Sequence, residues 1–202
     1  MKISTSILNM EKDLKHLNEL NNTSTDYIHL DIMDGIFVSN TSDMYDFINN
    51  NEINKPLDIH LMVENVDEYI EKYSKLNPKF ITFHVEVSNT LSLINKVKEK
   101  NIKVGLAISP KTDIKMLIPY LKDIDLILVM SVEPGYGGQQ FLESTYSKLE
   151  ELNKLKNAYS FLLEVDGGIN NYNSKKINAD MIVVGSYITK SNNMQEMIDT
   201  LK

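Results

Sequence analysis

The chain has 202 residues, of which 42% are hydrophobic and 24% are charged, a balance typical of one soluble globular domain. We therefore expect a single domain over residues 1–202. The chain has no cysteine, which excludes disulfides, thiolate metal sites and thiol nucleophiles, so a metal would have to be held by histidines and carboxylates. No apolar run approaches the roughly 18 residues of a membrane span, and no secretion signal is recognisable. We therefore expect no membrane association and a cytoplasmic location.

The formal net charge of -7 is spread along the chain, without the basic runs that follow a nucleic-acid backbone. We therefore expect no nucleic-acid partner. All 21 basic residues are lysines. Because arginine is absent, an anionic substrate would have to be bound by backbone N–H groups or by a lysine.

Eight short apolar segments typical of strands recur along the chain, and stretches with helical spacing separate them. The predicted strands are residues 3–8, 27–33, 57–63, 80–86, 104–109, 126–132, 161–166 and 181–185. We expect a helix after each strand, with the weakest helical pattern at residues 44–48, which turn-forming residues flank. This alternation implies parallel strands, and eight repeats predict a closed (β/α)8 TIM barrel of the α/β class. An open doubly wound sheet is the alternative, but no G-x-G-x-x-G turn follows the first strand.

Polar residues recur on one face of strands that should be apolar on both faces. Side chains alternate along a strand, so His29 and Asp31 point the same way, as do Asp58 and His60 on the next strand. Asp166 ends the seventh strand, at the barrel edge where catalytic residues lie. Two histidines and two aspartates from three strands suit a divalent metal such as zinc, iron or manganese. A metal beside an α-hydroxy carbonyl stabilises an enediolate while two carboxylates remove and return a proton, so this set favours epimerisation.

Two further histidines and three methionines carry alternative interpretations. His16 lies on a polar helical face, where we expect a solvated surface residue. His84 ends the fourth strand, and we expect it either behind the metal ligands or as a satisfied core residue. The strand methionines Met33, Met62 and Met130 either fill the core or form a polarisable apolar ring around the reacting carbons.

Six of the eight glycines lie just after three successive strand ends. Glycine lets backbone N–H groups approach an anion closely, and this fold commonly binds phosphate with the loops after strands seven and eight. Glycines also make ordinary turns, but their concentration in a chain without arginine favours phosphate binding. The glycines concerned are Gly135, Gly137, Gly138, Gly167, Gly168 and Gly185.

Four segments resemble, in order, motifs of the ribulose-phosphate 3-epimerase family, over nearly the whole chain. They are residues 29–35, 57–62, 130–139 and 165–169. The resemblance implies a metal held by His29, Asp31, His60 and Asp166, with Asp31 and Asp166 as the acid/base pair at C3. It also implies substrate contacts from Ser6, His60, Met33, Met62, Met130, Gly135, Tyr136, Gly137, Gly138, Gly167, Gly168, Gly185 and Ser186.

The activity implied by this resemblance is the interconversion of D-ribulose 5-phosphate and D-xylulose 5-phosphate in the pentose phosphate pathway, by a homo-oligomer. A related 3-epimerase of a six-carbon sugar such as D-allulose 6-phosphate is one alternative, and a non-catalytic binding barrel is another. The chain departs from the family pattern at residues 39–43, which lack the usual proline and glycine, and at Thr5, which replaces a proline.

Overall fold

The computed structural model describes residues 1–202, and in it eight parallel strands close into a barrel. The first strand pairs with both the second and the last, which closes the sheet. The predicted TIM barrel is therefore confirmed, and the open sheet is wrong. The strands are β1 (Lys2–Ser6), β2 (Tyr27–Asp34), β3 (Thr41–Ser42), β4 (Leu57–Met62), β5 (Phe80–His84), β6 (Lys103–Ile108), β7 (Leu126–Met130), β8 (Leu162–Asp166) and β9 (Met181–Val184), of which only β3 lies outside the barrel and runs antiparallel to its neighbour.

Seven α-helices lie between or after the strands, and the weakly patterned segment at residues 44–48 forms one of them. None of the helices combines the length and apolar character that crossing a membrane requires. The helices are α1 (Leu14–Asn21), α2 (Tyr45–Asn49), α3 (Val66–Tyr73), α4 (Thr90–Glu99), α5 (Ser144–Leu155), α6 (Ser186–Thr189) and α7 (Met194–Leu201).

The prediction of a helix after every strand is wrong at two positions, where short 3₁₀ turns replace it. After β6, Pro119 lacks the N–H that a continuing helix needs. After β8, the side chains of Asn170 and Asn173 accept hydrogen bonds from nearby backbone amides, which competes with helix formation. The turns are Ile114–Met116 and Ile118–Tyr120 after β6, and Ser174–Lys176 after β8.

The alternation of residues along each strand separates two environments. Side chains such as Ile28, Leu30 and Ile32 belong to the large cluster of 45 buried residues that includes the helix residues. Side chains of the other parity belong to a smaller apolar cluster that includes Leu128 and Met130. The polar residues of β2 and β4 share this second parity with the barrel interior, and they are buried.

The loop after β2, where the chain departs from the family pattern, folds back to form β3. The Asp34 carboxylate accepts hydrogen bonds from the amides of Ile36 and Phe37. Asn40 donates a 2.9 Å hydrogen bond from Nδ2 to the carbonyl of Gly135. This loop therefore contacts the glycine-rich loop that follows β7.

Candidate active site

Four titratable side chains meet at the carboxyl end of the barrel: His29, Asp31, His60 and Asp166. Within the sheet Asp31 on β2 lies opposite His60 on β4, and Asp166 is the last residue of β8. One possible ligand atom from each residue lies within 4.8 Å of those of the other three. Both histidines are fully buried, and Asp31 is only 5% exposed. The fold thus brings together the four residues that the sequence singled out.

The donor set of these four residues fits a divalent cation. The Nε2 atom of His29 lies 3.3 Å from Asp31 Oδ1, yet it has no hydrogen-bond partner although it is buried. The Nδ1 atom of His60 lies 3.4 Å from the same oxygen. Two imidazole nitrogens and two carboxylates, with no thiolate, suit zinc, iron or manganese.

Asp58 forms a hydrogen bond with His29 of this cluster, a role that the sequence analysis did not assign. Its Oδ2 atom accepts hydrogen bonds from His29 Nδ1 at 2.7 Å and from Ser4 Oγ at 2.8 Å. A carboxylate behind a ligating histidine fixes the orientation of the ring. The sequence signal for this role was the position of Asp58, two residues before His60 on the same face of β4. Glu164 lies near Asp58. Burial, together with the charge of Asp58, raises the pKa of Glu164 well above its usual value.

The two aspartates of the cluster have different electrostatic environments. Burial and then the charge of Asp31 raise the pKa of Asp166 to about 7. Burial acts in the same direction on Asp31, but the charge and hydrogen bonds of His29, with a hydrogen bond from His60, lower its pKa overall. Ser6 also donates a 2.7 Å hydrogen bond to Asp31 Oδ2. Burial and these neighbours therefore favour an ionised Asp31 and a protonated Asp166.

The remaining histidines lie in different places. His84 is fully buried, and its Nε2 atom lies 3.0 Å from Nε2 of His60. His84 therefore lies directly behind a member of the cluster. His16 lies at the start of α1 on the surface, hydrogen-bonded to Asp13 and apart from the other three histidines.

A cavity opens above the cluster, and the residues that the family resemblance implies for substrate line it. His60 is the exception, because it is fully buried and does not line the cavity. Asn9, which the sequence analysis missed, also lines the cavity and donates a 3.1 Å hydrogen bond to Ser186 Oγ. The lining includes Ser6, Met33, Met62, Met130, Gly135, Tyr136, Gly137, Gly138, Gly167, Gly168, Gly185 and Ser186.

The glycine-rich loops that line this cavity contain unpaired backbone donors. The amides of Gly137, Gly138, Gly168 and Gly185 donate no hydrogen bond to another protein group. Gly168 has φ +62°, and a Cβ atom there would lie 2.5 Å from the amide nitrogen of Phe141. Only glycine fits at this position. The free amides are suited to binding an anion such as phosphate.

Solved structures similar to this chain show the same fold. Tryptophan synthase from Mycobacterium tuberculosis aligns with a TM-score of 0.71 at 11% identity, covering 99% of this chain and 90% of that one. The 3-hexulose-6-phosphate synthase from Salmonella typhimurium aligns with a TM-score of 0.64 at 14% identity, covering 100% and 96%. At these identities the likeness concerns the barrel alone.

Sequence relatives are more specific. The chain is 37% identical to the ribulose-phosphate 3-epimerase of Buchnera aphidicola subsp. Acyrthosiphon pisum, covering 99% of this chain and 90% of the relative. It is 30% identical to the enzyme of that name from Bacillus subtilis, covering 100% and 98%. Residues 2–189 match the profile of the ribulose-phosphate 3 epimerase family. The chain therefore belongs to the ribulose-phosphate 3-epimerase family.

Proposed function

We propose that this chain is a metal-dependent isomerase that interconverts D-ribulose 5-phosphate and D-xylulose 5-phosphate by inverting C3. The observation that carries the proposal is the convergence of His29, Asp31, His60 and Asp166 beneath a cavity with free glycine amides. Membership of the family supports the substrate assignment. The homo-oligomeric state, the cytoplasmic location and the single domain over residues 1–202 stay predictions.

Asp31 and Asp166 are the proposed acid/base pair. They come from β2 and β8, which β1 and β9 separate in the sheet. The ionised Asp31 takes the C3 proton from one face, and the protonated Asp166 delivers a proton to the other face. In the reverse reaction the two roles exchange. The opposite pKa shifts of the two carboxyl groups arise from protein groups alone, and a bound cation would lower the pKa of both.

His29, Asp31, His60 and Asp166 would hold the divalent cation, with zinc, iron and manganese all suited to the donor set. When bound, such a cation polarises the substrate carbonyl and stabilises the enediolate that proton removal produces. The side chains of Met33 and Met62 belong to one apolar cluster and line the same cavity.

The free amides after β7, β8 and β9 are the proposed phosphate site. Gly137, Gly138, Gly168 and Gly185 supply N–H donors without a charged side chain. These glycines and both aspartates line one cavity, so a single bound substrate could contact the phosphate site and the acid/base pair together.

Metal analysis combined with a panel of ketose phosphates tests the proposed function. We expect the purified protein to contain a divalent metal, to epimerise ribulose 5-phosphate in preference to allulose 6-phosphate, and to lose activity with a chelator. His60→Ala should lower both metal content and rate, whereas the surface variant His16→Ala should change neither. Full activity of metal-free protein, or preference for the six-carbon substrate, would contradict the proposal.

A further inference from the structure

A line of hydrogen-bonding groups runs from the candidate metal site into the protein behind it. His60 Nδ1 lies 3.4 Å from Asp31 Oδ1, on the side of the site. His60 Nε2 lies 3.0 Å from His84 Nε2. His84 Nδ1 in turn lies 3.1 Å from Glu86 Oε2. Two imidazole rings therefore connect two carboxylates.

The far end of this line is held in place by the segment after β6. Glu86 Oε1 accepts a 2.9 Å hydrogen bond from the amide of Ser109 and a 2.6 Å hydrogen bond from Thr112 Oγ1. Burial would raise the pKa of Glu86, but the hydrogen bonds from His84 and Thr112 lower it to about 2. Glu86 is therefore an ionised acceptor whose Oε2 atom faces His84.

The hydrogen bonds along this line can run in either of two directions. A neutral imidazole has one N–H donor and one bare nitrogen, so the contact between the two rings needs one of each. If the donors point toward Glu86, the proton of His60 is on Nε2 and its Nδ1 lone pair faces the metal site. If they point toward Asp31, His60 Nδ1 carries the proton and cannot ligate a metal.

The local partners favour the first direction. His84 Nδ1 lies 3.1 Å from Glu86 Oε2, which is closer than the 3.4 Å between His60 Nδ1 and Asp31 Oδ1, and Asp31 is itself a proposed metal ligand. His84 Nδ1 is the candidate donor that reaches Glu86 Oε2, because the donors from Ser109 and Thr112 both reach Oε1, and Ser109 Oγ lies farther from His84 Nδ1, at 3.4 Å. A buried carboxylate oxygen without a donor is costly. The line of donors should therefore end on Glu86.

We propose that His84 and Glu86 are positioning residues that keep the proton of His60 on Nε2 and its Nδ1 lone pair free for the metal. This inference rests on the proposed metal site and extends it to two residues that do not contact metal or substrate. It also gives the His60 ring a defined orientation, which a metal ligand needs.

The variant Glu86→Gln tests the direction of the hydrogen bonds with little change in shape. Ser109 and Thr112 still require an oxygen acceptor, so the NH₂ group of the new amide should face His84. Because this NH₂ group donates to His84 Nδ1, the direction of every hydrogen bond along the line should reverse. We expect nitrogen NMR of metal-free, histidine-labelled protein to show the His60 proton moving from Nε2 to Nδ1. Affinity for Zn²⁺, measured by chelator competition, should fall about 10- to 100-fold. The control is Glu71→Gln, which removes a surface charge paired with Lys96 and Lys100 and should change neither quantity.

A pair of variants at His84 provides a second, independent test. Glutamine can accept from His60 and donate to Glu86, so His84→Gln should keep much of the Zn²⁺ affinity, whereas His84→Leu should lose it. If Glu86→Gln fails to fold, this pair decides. An unchanged proton position or Zn²⁺ affinity in Glu86→Gln would overturn the inference, as would equal affinities of the two His84 variants. Wild-type protein that binds no Zn²⁺ would instead contradict the proposed metal site. The proton position of His60 is measured without metal, so it tests the inference separately from the metal site.

Discussion

The opposite pKa shifts of Asp31 and Asp166 arise from neighbours within a few ångströms. Asp31 lies between His29 and His60 and accepts a hydrogen bond from Ser6. No histidine lies as close to Asp166 as His29 and His60 lie to Asp31. Burial and the negative charge of Asp31 raise the pKa of Asp166 to about 7. Opposite pKa shifts in adjacent carboxylates are the arrangement that acid/base catalysis uses.

Replacing either aspartate by asparagine should disable the reaction in both directions. We expect Asp31→Asn and Asp166→Asn each to lower kcat by at least roughly 10²- to 10⁴-fold. The double variant should cost less than the product of the two effects, because in the proposed mechanism the two residues act as a unit. Steady-state kinetics from both epimers measures this, with Asp46→Asn on the exposed face of α2 as the control. A fully active Asp166→Asn beside an inactive Asp31→Asn would mean that one base suffices.

Glu86 should make folding stability depend on pH at the acid end. Its pKa is about 2 in the folded protein against an ordinary value of 4.5, so the unfolded chain binds the proton more tightly. The stabilisation is therefore complete above about pH 4.5 and is lost as the pH falls toward 2. Urea unfolding at several pH values should show the stability gap between wild type and Glu86→Gln shrinking as the pH is lowered. A gap that stays constant over this range would contradict the low pKa.

The four cluster residues could be predicted from the sequence because strand alternation places them on one face. His29 and Asp31 occupy alternate positions on β2, and Asp31 is paired with His60 on β4. The role of Glu86 could not be predicted in this way. Its partners Ser109 and Thr112 lie more than 20 positions later in the chain, and only the folded loops bring them together.

Among the elements, the loops after β7, β8 and β9 carry the proposed phosphate site, and their glycines were a usable sequence signal. The turns after β6 and β8 were not predicted as such, because apolar spacing alone does not show where a helix fails. There, Pro119 and the local hydrogen bonds of Asn170 and Asn173 outweigh the pattern.

Two glycines with the same backbone angle allow a matched test of the phosphate site. Gly138 and Gly35 both have φ +78°, so an alanine imposes the same backbone strain at both positions, and at Gly35 its Cβ would also lie 3.0 Å from Thr41 Cγ2. Only Gly138 lines the cavity. We expect Gly138→Ala to raise KM for the phosphorylated sugar about tenfold, the effect of weakening a hydrogen bond to a charged group. Gly35→Ala should leave KM near the wild-type value. Steady-state kinetics showing equal KM values for the two variants would contradict the assignment.

At the scale of the whole molecule, barrel closure brings distant segments of the chain to one site. Ser6 comes from β1, Asp166 from β8, and Ser186 from the segment after β9, yet all three line one cavity. The count of eight strand segments was enough to predict this closure. The interior could not be predicted in detail, because one part of it is apolar and another is polar, and strand alternation does not give the register that sets how deep in the barrel each side chain lies.

The fate of the C3 proton tests the central claim most directly. Proton NMR of D-ribulose 5-phosphate in deuterated water, with the purified protein and its divalent metal, follows the epimer and the C3 signal together. If Asp31 and Asp166 exchange the C3 proton with solvent, D-xylulose 5-phosphate should form and carry deuterium at C3. Failure to form the epimer, or an epimer that keeps its original C3 proton, would contradict the account.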